Sequence, residues 1–270
     1  MDQRVVSRDA RACPACRETD HHDLNLSRDG WTIVRCTGCR FVYLNTVPAQ
    51  EAFQDVFAWN TSHIAEKKRR KKAQPILQWI SAKTRWRLHW GPRPETRKFL
   101  IKLAAHGPVL DLGCGDGAPG KQLPDEFTPF GVEIDPVLAA RADTAFRARG
   151  GACLHGDAAS VIEQFPDNYF TGVMMNSYLE HEYKPVEVLT SVHSKLADGA
   201  PLVIKVPNFG TVNARVMGRN WCGVRLPDHV NYFTWSSLKA MGEAVGYRVK
   251  KPFAINTPFT DNMWALFYKA

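Results

Sequence analysis

The stretch VLDLGCGDGAPG, residues 109–120, constrains this chain more than any other. An apolar run ending in an acid reads as a buried strand. Gly113, Gly115 and Gly117 then fall at alternate positions, a turn whose bare backbone can lie against a ligand. Pro119 suits the first turn of a helix, whereas Gly120 weakens its start. The sequence beyond repeats this alternation. PFGVEID, ACLHGDA, FTGVMMNS and PLVIKVPN read as further strands. PVLAARADTAFRARG reads as a helix stopped at Gly150 and Gly151, and KPVEVLTSVHSKLADG as another. YRVKKPFAIN and NMWALFYKA read as a closing antiparallel pair. The pattern predicts an α/β fold with a Rossmann-like, doubly wound sheet of seven strands, its last strand pair antiparallel. Ligands in such sheets sit beyond the carboxyl ends of the strands.

The strand tips say which ligand. Gly113-x-Gly115-x-x-Ala118 formally satisfies the dinucleotide fingerprint, and the lack of a following Gly-Lys-Ser/Thr excludes a Walker phosphate loop. Asp111, two residues before the glycines, suits an ammonium or a water network better than a pyrophosphate. Glu133 ends the second strand, where a carboxylate accepts from ribose hydroxyls, a feature that both ligand classes share. Asp157 ends the third, where it accepts from an adenine amino group. Together they describe a nucleoside with a cationic tail and no phosphate, which is S-adenosylmethionine.

In order and spacing, VLDLGCGDG, GVEID, HGDA, NSYLEH and LADGAPLVIKVPN resemble the class I S-adenosylmethionine-dependent methyltransferases over residues 107–270. Within that class, EHEYKPVEVL and DHVNYFTWSSL are similar to bacterial enzymes of glycan, lipid and secondary-metabolite pathways. The resemblance implies that Asp111 and the backbone of Gly113 and Gly115 hold the methionine part. It places Glu133 on the ribose, Ile134 on the adenine face, Asp157 and Ala158 on the adenine edge, and Asn176 toward the methionine moiety. The implied reaction is an in-line methyl transfer assisted by a base. The base candidates are Glu180, His181 and His229; each also reads as a bonded loop or structural residue. A similar Leu-Glu-His segment contributes to catalysis in some quinone-ring O-methyltransferases, in some of them through a divalent metal. RNWCGVRLPDHVNYFT is expected to build the acceptor side, its Trp221, Arg225, Asp228, His229, Asn231, Tyr232 and Phe233 suiting a polar ring such as a sugar. Thr234 suits a helix N-cap.

Four of the seven cysteines stand as C-x₂-C-x₁₉-C-x₂-C: Cys13, Cys16, Cys36 and Cys39. That spacing is a zinc pattern, and four thiolates close a tetrahedral shell, so the ion is expected to be structural. The sequence thus divides into a zinc ribbon at 1–47, a basic helical linker or cap at 48–106, and the methyltransferase domain at 107–270. The N-terminus lacks a secretory apolar core and no stretch has the length of a membrane span, so a cytoplasmic protein is expected. The net charge of +8 is local: residues 61–102 alone carry +11. Three partners fit that segment: an anionic small-molecule or glycan substrate, RNA, and an acidic membrane surface touched by Trp79, Trp86 and Trp90. A solvated helix face with the tryptophans turned inward fits as well. Ribosomal RNA methylation and non-catalytic cofactor binding stand as the alternatives to a small-molecule, sugar or glycan acceptor.

Overall fold

The computed structural model describes residues 8–48, 95–252 and 256–269. The N-terminal part holds five short strands: β1 (Arg8–Ala10), β2 (His21–Asp23), β3 (Ile33–Cys36), β4 (Val42–Leu44) and β5 (Thr46–Pro48). The remainder runs α1 (Thr96–Leu103), β6 (Gly107–Leu112), α2 (Ala118–Lys121), β7 (Phe127–Glu133), α3 (Pro136–Arg147) and β8 (Ala152–His155). It continues α4 (Ala158–Val161), β9 (Gly172–Asn176), α5 (Pro185–Lys195), β10 (Pro201–Pro207), α6 (Val212–Met217) and β11 (Asn231–Tyr232). It ends α7 (Trp235–Ala244), β12 (Tyr247–Lys250) and β13 (Asn262–Lys269).

Seven strands form the central sheet in the order β12-β13-β10-β9-β6-β7-β8. The strands from β10 to β8 pair in parallel, and β13 runs antiparallel to both β10 and β12. This is the doubly wound sheet with an antiparallel closing pair that the alternation predicts. Strands buried on both faces need continuous apolar runs. Leu110, Leu112, Val173, Met175, Leu202 and Ile204 are accordingly inaccessible to solvent. From β6 the chain moves outward to β7 and β8, then returns to the other side of β6 as β9. The winding therefore reverses between β6 and β9, and a crevice opens beyond their carboxyl ends. Asp111 and Asn176 sit at those two ends.

The weak helix start at Pro119-Gly120 has a packing cause. Helix α2 has only four residues, and Gly120 lies against the fully buried ring of Phe146 from α3. A Cβ on Gly120 would meet Phe146 Cε1 at 2.5 Å. Close helix contact, not helix propensity, sets the residue there. Thr234 caps α7 as expected, accepting from the Ser237 amide in a capping box.

The N-terminal part does not complete its own sheet. Its four strands lie in the order β11-β4-β3-β2, and β11 comes from the segment after β10. Asn231 and Tyr232 pair with Tyr43 and Val42, and the Leu44 amide donates to the Val230 carbonyl. A shared cluster of Trp31, Ile33, Val42, Leu44, Trp221 and Val230 fills the space between. No described helix is long and apolar enough to cross a membrane.

Gly120→Ala should cost about 1–3 kcal/mol through overpacking, outweighing the gain of about 1 kcal/mol in helix propensity. Urea unfolding of the two proteins checks the sign.

Candidate functional site

The turn after β6 is built from left-handed residues. Gly113, Gly115 and Gly117 have φ of 70°, 58° and 80°. Side chains other than glycine rarely tolerate such angles. Gly113 is also crowded, since a Cβ there would lie 2.8 Å from Tyr178 Cδ2. A Cβ on Gly115 would meet nothing within 4 Å, so this turn faces open space. Glu133 at the tip of β7 fixes the turn. Its Oε2 accepts from the Gly115 amide (2.8 Å) and its Oε1 from the Asp135 amide (3.0 Å). Asp135 in turn caps α3, accepting from the Val137 and Leu138 amides.

Beneath the turn lies Asp111, 3% exposed, with its Oδ2 lacking any hydrogen-bond partner. Burial, and secondarily the Glu133 charge, push its carboxyl up to about 8. Such a group is held in a site that a cation would relieve. Asp157 stands at the tip of β8 and starts α4; its Oδ2 accepts from Ser160 Oγ (3.2 Å). Ala158 is buried behind it, and Ile134 is half-buried after β7. Asn176 is exposed at the end of β9 and accepts from Thr96 Oγ1 through its Oδ1 (3.1 Å). The cofactor-side residues named from the sequence therefore all lie at neighbouring carboxyl ends of the sheet.

Residues 177–183 form the other wall. Tyr178 lays its ring on Gly113 and donates its hydroxyl to Glu182 Oε2 (2.5 Å). Burial, with Glu182, Asp157 and Glu133 nearby, pushes its phenol well above the ordinary range. Of the two acids in EHEY, Glu182 carries the structural bonding, also accepting from the Lys184 amide. Glu180 is 1% exposed and its Oε2 has no hydrogen-bond partner. Burial raises its carboxyl, opposed by His181, Lys205 and Arg225.

The three base candidates come together. The His181 and His229 rings lie edge to face with centroids 4.7 Å apart. His181 Nδ1 donates to the Asp228 carbonyl (2.8 Å), and His229 Nδ1 to the Gly223 carbonyl (2.9 Å). Asp228 serves His181 rather than its chain neighbour: its carboxylate lies 3.6 Å from His181 Nδ1 and pairs with Arg225 at 2.8 Å. Trp221, Tyr232 and Phe233, expected to line the acceptor side, are buried instead. Asn231 is likewise interior, donating to the Leu179 and Glu182 carbonyls. The apolar clusters between the N-terminal strands and the sheet claim these side chains.

Arg11 seals the wall from behind. Its guanidinium donates to the Tyr183 carbonyl (2.5 Å), the Val230 carbonyl (3.2 Å) and Asn231 Oδ1 (3.1 Å). Sequence reasoning missed Arg11, Tyr178 and Lys205. Arg11 lies beside the first cysteine pair and Tyr178 within NSYLEH, but no local pattern marks either. Lys205 interrupts the apolar run of β10, a visible signal; burial lowers its ammonium, and it donates to Ser177 Oγ (3.2 Å).

In the N-terminal part, the ligand atoms of Cys13, Cys16, Cys36 and Cys39 all lie within 4.8 Å of one another. Cys13 Sγ is 3.5 Å from Cys39 Sγ, and Cys16 Sγ is 3.5 Å from Cys36 Sγ. The basic run at 67–72 and the tryptophans at 79, 86 and 90 lie outside the described residues. Of that segment's cations, Arg97 donates to the Gln122 carbonyl and Lys98 pairs with Glu95.

A model of the methyltransferase domain matches residues 85–251, and the chain belongs to that family. The match makes it a methyltransferase, and its sheet has the methyltransferase Rossmann-like fold. The fold is shared with an S-adenosylmethionine-dependent methyltransferase from Archaeoglobus fulgidus, at TM-score 0.52 and 20% identity over 71% of this chain and 94% of that one. A candidate O-methyltransferase from Nostoc punctiforme matches at TM-score 0.50 and 15% identity, over 64% of this chain and 55% of that one. No curated protein sequence matches the chain significantly.

The Asp111 carboxyl is raised in the fold, so its contribution to stability is full near pH 4 and is lost as pH climbs through about 8. Without ligand, Asp111→Asn should therefore unfold at a higher temperature than the parent at pH 9, by about 2–4 °C per kcal/mol relieved. The difference should close near pH 4 in calorimetric scans.

Proposed function

We propose that the crevice beyond β6 and β9 holds S-adenosylmethionine and that the Glu180–His181–His229 wall receives a polar ring acceptor: a small molecule, a sugar or a glycan. The observation that carries the cofactor half is the unpartnered, buried Asp111 Oδ2 under the open face of Gly115. Asp111 would neutralise the ammonium of the methionine part. Gly113 and Gly115 would accept close approach, and Glu133 has lone pairs left for ribose hydroxyls. Ile134 would cover the adenine face, Asp157 and Ala158 its edge, and Asn176 would face the methionine part. When bound, the cofactor supplies a methyl group already activated on a sulfonium.

The protein's own work is then to orient the acceptor, exclude water and take a proton. His181 is the base this geometry favours. Its side chain is 20% exposed, and the Asp228 carbonyl fixes its tautomer with Nε2 unprotonated. The Asp228 carboxylate stands ready to stabilise an imidazolium. His229, 3% exposed, orders the loop. Acceptor variants that differ by one hydroxyl should separate strongly, because buried polar groups left unpaired are costly.

The four cysteines fit a structural zinc ion. A tetrahedral Zn–S shell at about 2.3 Å needs sulfurs about 3.8 Å apart, near the 3.5 Å seen within each pair. The N-terminal part would then be a zinc ribbon, with residues 107–270 the catalytic domain. The ribbon's role is to hold β4 as the template for β11, and so to hold His229.

Two measurements test this reading. Titration calorimetry with S-adenosylmethionine should show binding that releases up to one proton below pH 8, read from buffers with different ionisation heats. Asp111→Asn should weaken that binding by about 10–100-fold, as loss of a charged hydrogen bond does, and should abolish the release. Heat from a nicotinamide dinucleotide, and none from S-adenosylmethionine, overturns the assignment. Metal analysis should find one zinc per chain, lost in Cys36→Ser together with a lower unfolding midpoint.

A further inference from the structure

A lysine stands in the apolar run of β10 with no part in cofactor binding or proton transfer. Lys205 lies between Ile204 and Val206, both inaccessible to solvent. Side chains alternate between the two faces along a strand. Leu202, Ile204 and Val206 join the core cluster on one face, and Val203 joins Leu100 of α1 and Leu266 of β13 on the other. Lys205 therefore shares the α1 face with Val203. Trp264 of β13 pairs directly with Lys205 and stands two residues from Leu266, so it lies on that face too. Opposed side chains of an antiparallel pair have Cβ atoms about 5 Å apart. The Lys205 ammonium reaches past the end of β9 to Ser177 Oγ (3.2 Å).

These groups are donors short of acceptors. Trp264 is 6% exposed, and its Nε1–H has no hydrogen-bond partner. Lys205 gives one N–H to Ser177 and makes no ion pair among the described residues. Burial lowers its ammonium; Glu180, the acid that opposes this, is not bonded to it. Ser177 accepts from Lys205 and keeps its own hydroxyl hydrogen to give. A buried donor without an acceptor costs about 1–3 kcal/mol, and a buried ammonium without a partner costs more. Packing alone would set apolar residues at Lys205 and Trp264, as it does at the flanking positions. Burial raises the Glu180 carboxyl toward its neutral form, so a negative ligand is not repelled from that side.

We infer that Lys205, Trp264 and Ser177 form an oxyanion subsite that takes a carboxylate or phosphate group of the methyl acceptor. The ammonium supplies the charge, and the indole N–H and the hydroxyl fix the direction of approach. The sheet order sets this subsite apart from the cofactor. Glu133 and Asp157 mark β7 and β8 on one side of β6, whereas β10 and β13 lie on the other side, beyond β9. At about 4.8 Å per strand, β10 stands about 10 Å from β6. A ring held at Lys205 by its anionic substituent would present a hydroxyl toward His181, which stays the base. Giving the anion to an acceptor rests on the methyl-transfer reading; the binding of an oxyanion does not.

The test titrates the full chain with inorganic phosphate or benzoate at constant ionic strength, with and without saturating S-adenosylhomocysteine. The readout is the indole N–H resonances of the eight tryptophans, with that of Trp264 identified by its loss in Trp264→Phe. The expected result is a saturable shift of the Trp264 signal with either anion and none with chloride. Lys205→Met should weaken the anion by about tenfold or more, while S-adenosylhomocysteine affinity in calorimetry holds within about twofold. A Trp264 signal unmoved by both anions overturns the subsite, as does an equal shift in Lys205→Met. Should Lys205→Met lose its fold, Lys205→Gln is read by the same criteria, and failing both, the parent signal decides alone. If S-adenosylhomocysteine displaces phosphate, or itself loses affinity in Lys205→Met, the subsite serves the cofactor's own carboxylate and the acceptor assignment falls. If the parent gives no heat with S-adenosylhomocysteine while the Trp264 signal still shifts, the subsite stands and the methyl-transfer reading falls.

Discussion

The Glu133 carboxylate, held between the amides of Gly115 and Asp135, gives the crevice beyond β6 and β9 its shape. One oxygen fixes the glycine turn after β6, and the other fixes the entry to α3. Both amides would otherwise be loose donors at helix and turn ends, where unsatisfied groups are costly. With the turn fixed, Asp111 is buried below it, its Oδ2 without a hydrogen-bond partner. A left-handed glycine turn over a buried acid leaves open backbone beside a carboxylate oxygen that a cation would relieve. Gly115 is left facing open space while Gly113 is covered by Tyr178.

The opposite wall depends on the N-terminal part. Arg11 donates to carbonyls on both segments of that wall, and the Glu180 carbonyl accepts from the Val230 and Asn231 amides. The segment bearing Glu180 and His181 is thereby laced to the segment bearing His229. Few of these contacts are apolar, so their geometry is specific, and each buried carbonyl has a donor. The cysteine unit is thus part of the wall that bears His181 and His229, not an appendage to it.

Periodicity and spacing made the sheet legible. The strand Val109–Leu112 declared itself by its apolar run, the turn by its glycines, and the α7 cap by Thr234. The cysteine quartet was legible because ligand spacing is a local property. What stayed hidden was long-range. A strand of two residues, Asn231–Tyr232, has no period to detect, and its partner lies near residue 42. Trp221, Tyr232 and Phe233 read as pocket residues because a loop rich in aromatics suggests a binding surface; nothing local reports the apolar strands that bury them. Asp228 is the chain neighbour of His229, yet its carboxylate lies beside His181. Gly120 looked like a flaw until Phe146 was in place above it. Propensity describes a residue's own backbone, and these positions are decided by a neighbour's side chain.

The borrowed strand β11 also fixes an order of events at the ribosome. The first strands emerge early, but β4 stays an open sheet edge until residues near 231 have been made. Such an edge is a template for pairing with any other chain. The exposed, charged character of β1 and β2 keeps the nascent piece soluble at its outer face, while the inner edge waits. Domain-by-domain folding during synthesis is therefore closed to this protein, and a chain cut short after residue 200 would carry the unpaired edge permanently.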